Sequence, residues 1–359
     1  MIEHENKIIC GDCLEVMKDC RDGYYDLTFC SPPYENARTY GIDFNLKGQD
    51  WVDWARIRFM ECLRVTKGLV AWVVEGKTKQ FRYTATPILF MADLHRAGVH
   101  LRKPPAFQRV GIPGSGGPDW LRNDYEFIVC ATNGGKLPWS DNTAMGHPPK
   151  WAPGGEISHR TKTGIRVNRT ASRNRKPDGT REIRSYFAPK ISNPGNVIDC
   201  GVGGGGHLGS KLAHENEAPF PEKLPEFFIK SFCPPNYCHS CGYVLGTENG
   251  YYGVPNGNST PQEREKERQQ EIKLGINDGI PAQSTIQKIC PRCGSLNVYP
   301  GIVFDPFSGS GTACAAAEKA KRKWTGVDIR DSQVELSNKR IAEARTGPGF
   351  AKAFFEANK

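Results

Sequence analysis

The sequence predicts an α/β fold built on a mostly parallel sheet, with ligands held at the C-terminal ends of the strands. Three observations carry that expectation. Short apolar runs alternate with stretches of helical period from Lys7 to Ala131. Near the other end, the hydrophobic strand Val303-Phe304-Asp305 runs into a glycine loop and then a helix-forming stretch. One early strand closes on Ser31-Pro32-Pro33-Tyr34, a rigid end with few donors.

The elements follow in order. Lys7–Cys10 and Tyr25–Ser31 read as strands, and Trp51–Arg64 as a helix with apolar residues at helical spacing, punctuated by Gly68. Leu69–Val74 is a buried strand, Pro87–Ala97 a helix ended by Gly98, and Tyr125–Ala131 another strand. From about Gly134 to Gly209 the periodicity fades into glycine, proline and basic residues. Within it, Gly201–Gly209 follows no clear strand and reads as a hinge or close-approach loop, not a phosphate cradle. Ala313–Lys323 reads as a helix and Trp324–Ile329 as the next strand.

Neither proline of Ser31-Pro32-Pro33-Tyr34 has an N–H, and each pushes its predecessor into an extended conformation. The Ser31 hydroxyl and nearby carbonyls are thereby held out as acceptors, with the Tyr34 ring beside them. Such an edge suits a flat heterocycle bearing an exocyclic amino group. The alternative is a proline-rich turn after a buried strand. In the loop Asp305-Pro306-Phe307-Ser308-Gly309-Ser310-Gly311-Thr312, no lysine follows the last glycine, so it is not a Walker A loop. Nor does it carry the G-x-G-x-x-G spacing of a dinucleotide site. Asp328, one βα unit later, stands where nucleoside-binding folds hold ribose hydroxyls. A glycine loop with a ribose acid and no phosphate lysine points to a nucleoside cofactor without phosphates, and S-adenosyl-L-methionine fits.

With these segments the chain resembles the permuted (beta-class) amino DNA methyltransferases of the N4-cytosine/N6-adenine type, whose catalytic tetrapeptide comes first and cofactor loop last. Gly11-Asp12-Cys13-Leu14-Glu15, Glu61 to Gly68 and His214 to Pro225 match further family segments in family order. The resemblance implies a permuted Rossmann-like, S-adenosylmethionine-dependent sheet that methylates the exocyclic amino group of a base flipped from double-stranded DNA. Ser31, Pro32, Pro33 and Tyr34 would be catalytic. Asp12 would lie near the adenine amino group and Asp328 on the ribose, with Asp305, Pro306, Phe307, Gly309, Gly311 and Thr312 forming the rest of the cofactor site. Serine at the first motif position leans toward cytosine N4, and adenine N6 is the alternative. An RNA or protein methyltransferase, or a non-catalytic zinc-containing nucleic-acid-binding protein, is a rival from another class. A homodimer and a cognate restriction endonuclease stay open as further partners.

Net charge is +9, and residues 150–190 hold eleven Lys and Arg against three acids, nearly the whole excess. Aromatics are sparse there, so Arg160, Lys162, Arg166, Arg169, Arg173, Arg175, Lys176, Arg181 and Arg184 are expected on DNA phosphates, in the position of the family's target-recognition region. A solvated basic loop is the alternative.

Cys238-His239-Ser240-Cys241-Gly242 and Cys290-Pro291-Arg292-Cys293-Gly294 are two C-x-x-C knuckles, suited to clasp one structural Zn(II) through Cys238, Cys241, Cys290 and Cys293. Redox-active or unligated thiols are the alternative. The intervening Thr260-Pro261-Gln262-Glu263 reads as a capping box opening a charged helix to Leu274, and His239 as a bystander. The expected organisation is a catalytic half (1–133), a target-recognition region (134–213), a returning helix (214–235), a protruding zinc module (236–300) and a cofactor-binding half (301–359). Thirteen cysteines without a signal peptide suggest a reducing compartment, the cytoplasm of a prokaryotic cell or a phage-infected host. The longest apolar run, Leu69–Val74, is too short to span a bilayer, so no membrane partner is expected.

Overall fold

A computed structural model describes residues 4–35, 44–109, 118–149, 158–160, 162–168, 191–201, 208, 210–215, 219–243, 290 and 292–346. Strands β1 (Lys7–Cys10), β2 (Tyr25–Cys30), β3 (Thr66–Val74), β14 (Ile302–Asp305) and β15 (Lys323–Asp328) form a parallel set in the order β1-β15-β14-β2-β3. The sheet continues through β8 (Tyr125–Thr132), antiparallel to β3, then β7 (Ala106–Gln108) and β11 (Val197–Asp199), with β6 (His100–Leu101) also on β8. Two-stranded pieces are β4 (Thr78–Lys79) with β5 (Arg82–Tyr83), β9 (Ser158–Arg160) with β10 (Arg166–Asn168), and β12 (Tyr237–Cys238) with β13 (Val298–Tyr299).

Alternation along β3 shows why the sheet is buried on both faces. Val70, Trp72 and Val74 join one core with residues of α1 (Cys13–Lys18), α2 (Gly48–Val65) and α3 (Thr86–Arg96). Leu69, Ala71 and Val73 join the other, with α4 (Lys223–Phe232), α5 (Thr312–Lys319) and α6 (Asp331–Thr346). Such double coverage explains the continuous apolar run that marks this strand.

Among the described residues the expected elements are present, with shifted ends. Gly68 does not punctuate the helix but lies inside β3, which follows α2 directly. A Cβ there would sit 2.0 Å from the Asp26 carbonyl oxygen, where the β2–β3 register shifts, so the close approach requires glycine. The helix after the glycine loop stops at Lys319 rather than Lys323, because Lys321 turns left-handed (φ 56°) to enter β15. A strand, β11, does precede Gly201. At three residues it is too short to show a period. Most of Gly201–Gly209 and the helix expected at Thr260–Leu274 lie outside the described residues.

Two compact units are present: Met1–Asp141 with Asn196–Lys359, and Asn142–Gly195. The second contains the β9–β10 hairpin, on which Arg160 and Lys162 are exposed and to which Arg166 belongs. Arg169, Arg173, Arg175, Lys176, Arg181 and Arg184 lie outside the described residues. Among the described residues, no helix is long and apolar enough to cross a membrane.

Candidate active site and metal centre

The chain leaves fully buried β2 at Ser31, and the two prolines carry it over the sheet end. The Trp51 indole donates to the Pro33 carbonyl (2.9 Å), while Glu35 accepts from Gly48 N (2.9 Å) and Thr86 Oγ1 (2.5 Å). The tetrapeptide is therefore bolted to the starts of α2 and α3. Ser31 Oγ donates to Tyr34 Oη (3.2 Å), which donates to Glu126 Oε2 (2.7 Å), and Arg109 pairs with Glu126 Oε1 (3.0 Å). With its proton directed to Tyr34, the Ser31 oxygen keeps its lone pairs as acceptors. Cys30 is fully buried in the strand, and burial raises its thiol well above the usual range, so it offers no thiolate.

Beside Glu126, Glu75 continues β3 past its last ladder pair, Val74 with Phe127. Glu75 accepts from Gly76 N (2.8 Å) and Tyr83 Oη (3.0 Å). Burial raises its carboxyl above the usual range, and neighbouring Glu126 adds to the rise.

The glycine loop stands next door. Register pairs Val303 with Leu27 and Phe304 with Thr28, so the loop leaving β14 and the tetrapeptide leaving β2 emerge from neighbouring strands, about 4.8 Å apart. The Phe307 ring packs against Trp54 and Trp72, with centroids at 5.7 and 5.5 Å. Gly309 N donates to Asp328 Oδ2 (2.9 Å), and Arg330 N donates to Asp328 Oδ1 (3.0 Å). Gly311 has φ +73°, and a Cβ there would press on Ser337 at 3.0 Å, so that turn has room only for glycine.

Asp305 is 1% exposed and accepts from Phe307 N (3.1 Å). Desolvation, despite that hydrogen bond and with help from the charge of Asp328, pushes its carboxyl up to about 8. Such a group is suited to a cation, which would restore its charge. Asp12 caps α1 through Leu14 N (2.7 Å) and pairs with Arg58 (2.9 Å), next to Gly11, whose N–H meets the Asp328 carbonyl (3.0 Å). The Thr312 hydroxyl accepts from buried Arg340 (2.6 Å), which also holds Ser310 and the Leu208 carbonyl. Thr312 thus braces the loop.

Glu126, Arg109, Glu35 and Arg340 escape sequence reasoning. Glu126 and Arg109 follow the tetrapeptide at a distance: β8 runs antiparallel to β3, which brings its start with Glu126 to the catalytic end, and β7, antiparallel to β8, ends there just before Arg109.

The two cysteine knuckles form matching turns. Gly242 N bonds to Cys238 O and Gly294 N to Cys290 O, at 2.8 and 2.9 Å, with both glycines left-handed. Cys238 and Cys293 sulfurs are 3.6 Å apart, as are Cys241 and Cys290, and all four lie within 4.8 Å of one another. Four sulfurs about 2.3 Å from a central zinc define a tetrahedron with edges of about 3.8 Å, so the set fits that metal. Burial opposes ionisation of Cys238, but the Cys241 and Ser240 N–H groups and neighbouring thiols outweigh it and bring the thiol to about 7. His239 stacks on Tyr299 (centroids 3.3 Å apart) and is not among the four.

The knuckles rest against the opposite end of the sheet. Tyr237 donates to Asp26 (3.3 Å) and contacts Lys67, while Asp26 also accepts from Ile302 N (2.9 Å) and pairs with Lys67 (3.1 Å). These residues begin β2, β3 and β14, whereas the tetrapeptide and loop end β2 and β14. One strand of six residues, about 20 Å, separates the two.

A family described as DNA methylase, of the N6/N4 type, matches residues 25–238 and 288–339, well over half of the chain. The chain belongs to this family. The orphan methyltransferase M.BamHII of Bacillus amyloliquefaciens is 24% identical over 324 residues, 88% of each chain. The PvuII DNA methyltransferase (cytosine-N4-specific) superposes with a TM-score of 0.51 at 16% identity, covering 93% of this chain and 85% of that one, a likeness of fold. As a DNA amino-methyltransferase, the chain needs a methyl donor and an acceptor amine side by side at one sheet end, and β14 and β2 deliver their loops there.

Proposed function

We propose that this DNA methylase transfers a methyl group from S-adenosyl-L-methionine to the N4 amino group of a cytosine flipped out of duplex DNA. The observation that carries the reading is the chain Ser31–Tyr34–Glu126, set one strand away from the Asp305–Gly311 loop. The bound cofactor supplies an electrophilic methyl. Asp305 suits its ammonium and Asp328 its ribose, and the Asp328 oxygens keep lone pairs beyond the two backbone bonds they accept and the Arg330 guanidinium at 3.5 Å. Asp12 lies close by for the adenine amino group, and Phe307, packed on Trp54 and Trp72, is assigned to the pocket wall.

An aromatic amine is a weak nucleophile because its lone pair is delocalised into the ring. Hydrogen bonds from the amine to Ser31 Oγ and the Pro32 carbonyl draw the nitrogen toward tetrahedral geometry as the methyl arrives. As the nitrogen becomes cationic, its proton passes to Ser31 Oγ, the Ser31 proton to Tyr34 Oη, and the Tyr34 proton to Glu126. Arg109 keeps that carboxylate in place. Serine at the first motif position, and the fold shared with a cytosine-N4-specific enzyme, support cytosine over adenine.

Arg160, Lys162 and Arg166, with the basic residues that follow, are assigned to DNA phosphates, and the four-cysteine cluster to one structural zinc that plays no part in methyl transfer. Four thiolates complete a tetrahedral shell and leave no open position for a reactant. Incubation with methyl-labelled cofactor and unmethylated DNA tests the reading: label must enter the DNA, and Ser31→Ala must abolish it. Label on DNA that is insensitive to Ser31→Ala would dismiss the tetrapeptide's role.

A further inference from the structure

Past Glu75 at the catalytic end of β3, the chain makes the tight hairpin β4–β5. Its base is firmly held. Lys77 N donates to Thr84 Oγ1 (2.9 Å), Thr84 N donates to Lys77 O (2.9 Å), and Tyr83 Oη reaches Glu75 (3.0 Å). Gly76 leaves room for the Tyr83 ring, which a Cβ there would meet at 2.6 Å.

The tip is the anomaly. Gln80 and Phe81 both take positive φ (49° and 62°), as the two-residue type I′ turn requires and as Asn-Gly would satisfy without strain. The sequence instead sets a phenylalanine there, 78% exposed. That position is unfavourable for its backbone and unfavourable for its ring in water. Lys79 and Arg82 flank the turn and Lys77 stands at the base of the hairpin, all exposed, with no acid between residues 77 and 83. An exposed apolar ring at the tip of a cationic hairpin matches a polyanion with an apolar interior, which is duplex DNA. Tyr83 bonds to Glu75, which follows Val74 on β3 as Glu126, the partner of Tyr34, precedes the paired Phe127 on β8, so the hairpin lies beside the catalytic tetrapeptide.

We propose that Phe81 is a wedge that enters the base stack and occupies the space vacated by the flipped target base, while Lys77, Lys79 and Arg82 hold the flanking phosphates. The proposal rests on the base-flipping reading above and adds the residue that keeps the duplex open. Proteins that unstack duplex DNA insert apolar side chains in this way to offset the cost of broken stacking.

The test uses Phe81→Ala and Phe81→Gly in the full chain. The glycine variant relieves the left-handed turn, so its melting temperature should equal or exceed that of the parent, which removes misfolding as an explanation. The methylated site is first mapped by sequencing DNA modified by the parent protein. Synthetic duplexes then carry the target base either fully paired or opposite an abasic position. Single-turnover methylation of the paired duplex should fall on the order of ten- to a hundredfold in both variants, the share of unstacking cost that the wedge offsets. On the duplex with the abasic position, where no pair needs opening, both variants should return close to the parent rate. Variants matching the parent on the paired duplex, or losing equally on both duplexes, would overturn the wedge. A parent protein that leaves no methylated site to map would refute the proposed transfer to a flipped base of duplex DNA, and the wedge with it.

Discussion

With Asp305 as the partner of the cofactor's ammonium, as proposed, cofactor affinity depends on pH in a defined way. In the empty pocket its carboxyl is pushed up to about 8 by burial, so near neutral pH it is mostly protonated. Pairing with the cofactor's ammonium requires the carboxylate, and binding therefore expels one proton below pH 8. Linkage then strengthens affinity about tenfold for each pH unit between 6 and 7, levelling near 8. Above that, an α-amino group of ordinary pKa, about 7.7–8.0, loses its own proton, and affinity declines again. The stability of the empty protein runs the other way. The folded carboxyl titrates above its unfolded value, so between about pH 4 and 8 the fold holds the extra proton. This group's contribution is therefore full at the low end of that window and is lost as pH rises to 8, by at most about 6 kcal/mol. Asp305→Asn should flatten both profiles. It should also weaken cofactor binding by about 1.5–3 kcal/mol, the scale of a charge-assisted hydrogen bond. Titration calorimetry from pH 6 to 9, in buffers of different ionisation heat, reads affinity and proton release together. A pH-independent affinity in the parent, or an unchanged slope in Asp305→Asn, would refute the reasoning.

Other expectations follow from the same geometry. Tyr34→Phe keeps the ring but cuts the relay, so single-turnover methylation should fall about a hundredfold, within the range for lost proton transfer, with cofactor affinity intact. Glu126→Gln should match it, and a collapse of cofactor affinity in either would place these residues in the wrong pocket. Asp328→Ala should weaken cofactor binding by about 1.5–3 kcal/mol, and an unchanged dissociation constant would end its ribose role. Elemental analysis should find close to one zinc per chain, sharply reduced by Cys290→Ser. Because the cluster stands a strand length from the catalytic end, that variant should keep the parent's cofactor affinity. Full zinc in the variant, or no metal in the parent, would contradict the assignment.

The parts legible in the sequence are those with local punctuation. Paired prolines announce the end of β2, glycines the loop after β14, and C-x-x-C spacing the cysteine knuckles, because each is a constraint written within a few residues. Alternating helices and strands announced the layered sheet, as the two faces of β3 bear out. Partners set by topology left no such mark. Glu126 and Arg109 reach Tyr34 only through the reversed direction of β8 and the short strand β7 beside it. Arg340 looks like any helix cation until α6 packs on the glycine loop and buries it. The anchor of the cysteine knuckles, Tyr237 on Asp26 and Lys67 at the foot of the sheet, left no such mark either. Nothing in Lys77 to Tyr83 resembles a strand pair, since the turn lacks the glycine that normally marks one.

The central claim is that Ser31 to Tyr34 direct a methyl group onto an exocyclic amino nitrogen of a base. Its most direct test is mass spectrometry of nucleosides from unmethylated DNA treated with the protein and isotopically labelled S-adenosyl-L-methionine. The account predicts labelled N4-methylcytosine, absent when Ser31→Ala replaces the parent. Labelled N6-methyladenine would overturn the choice of base, and labelled 5-methylcytosine, or DNA without label, would contradict the mechanism itself.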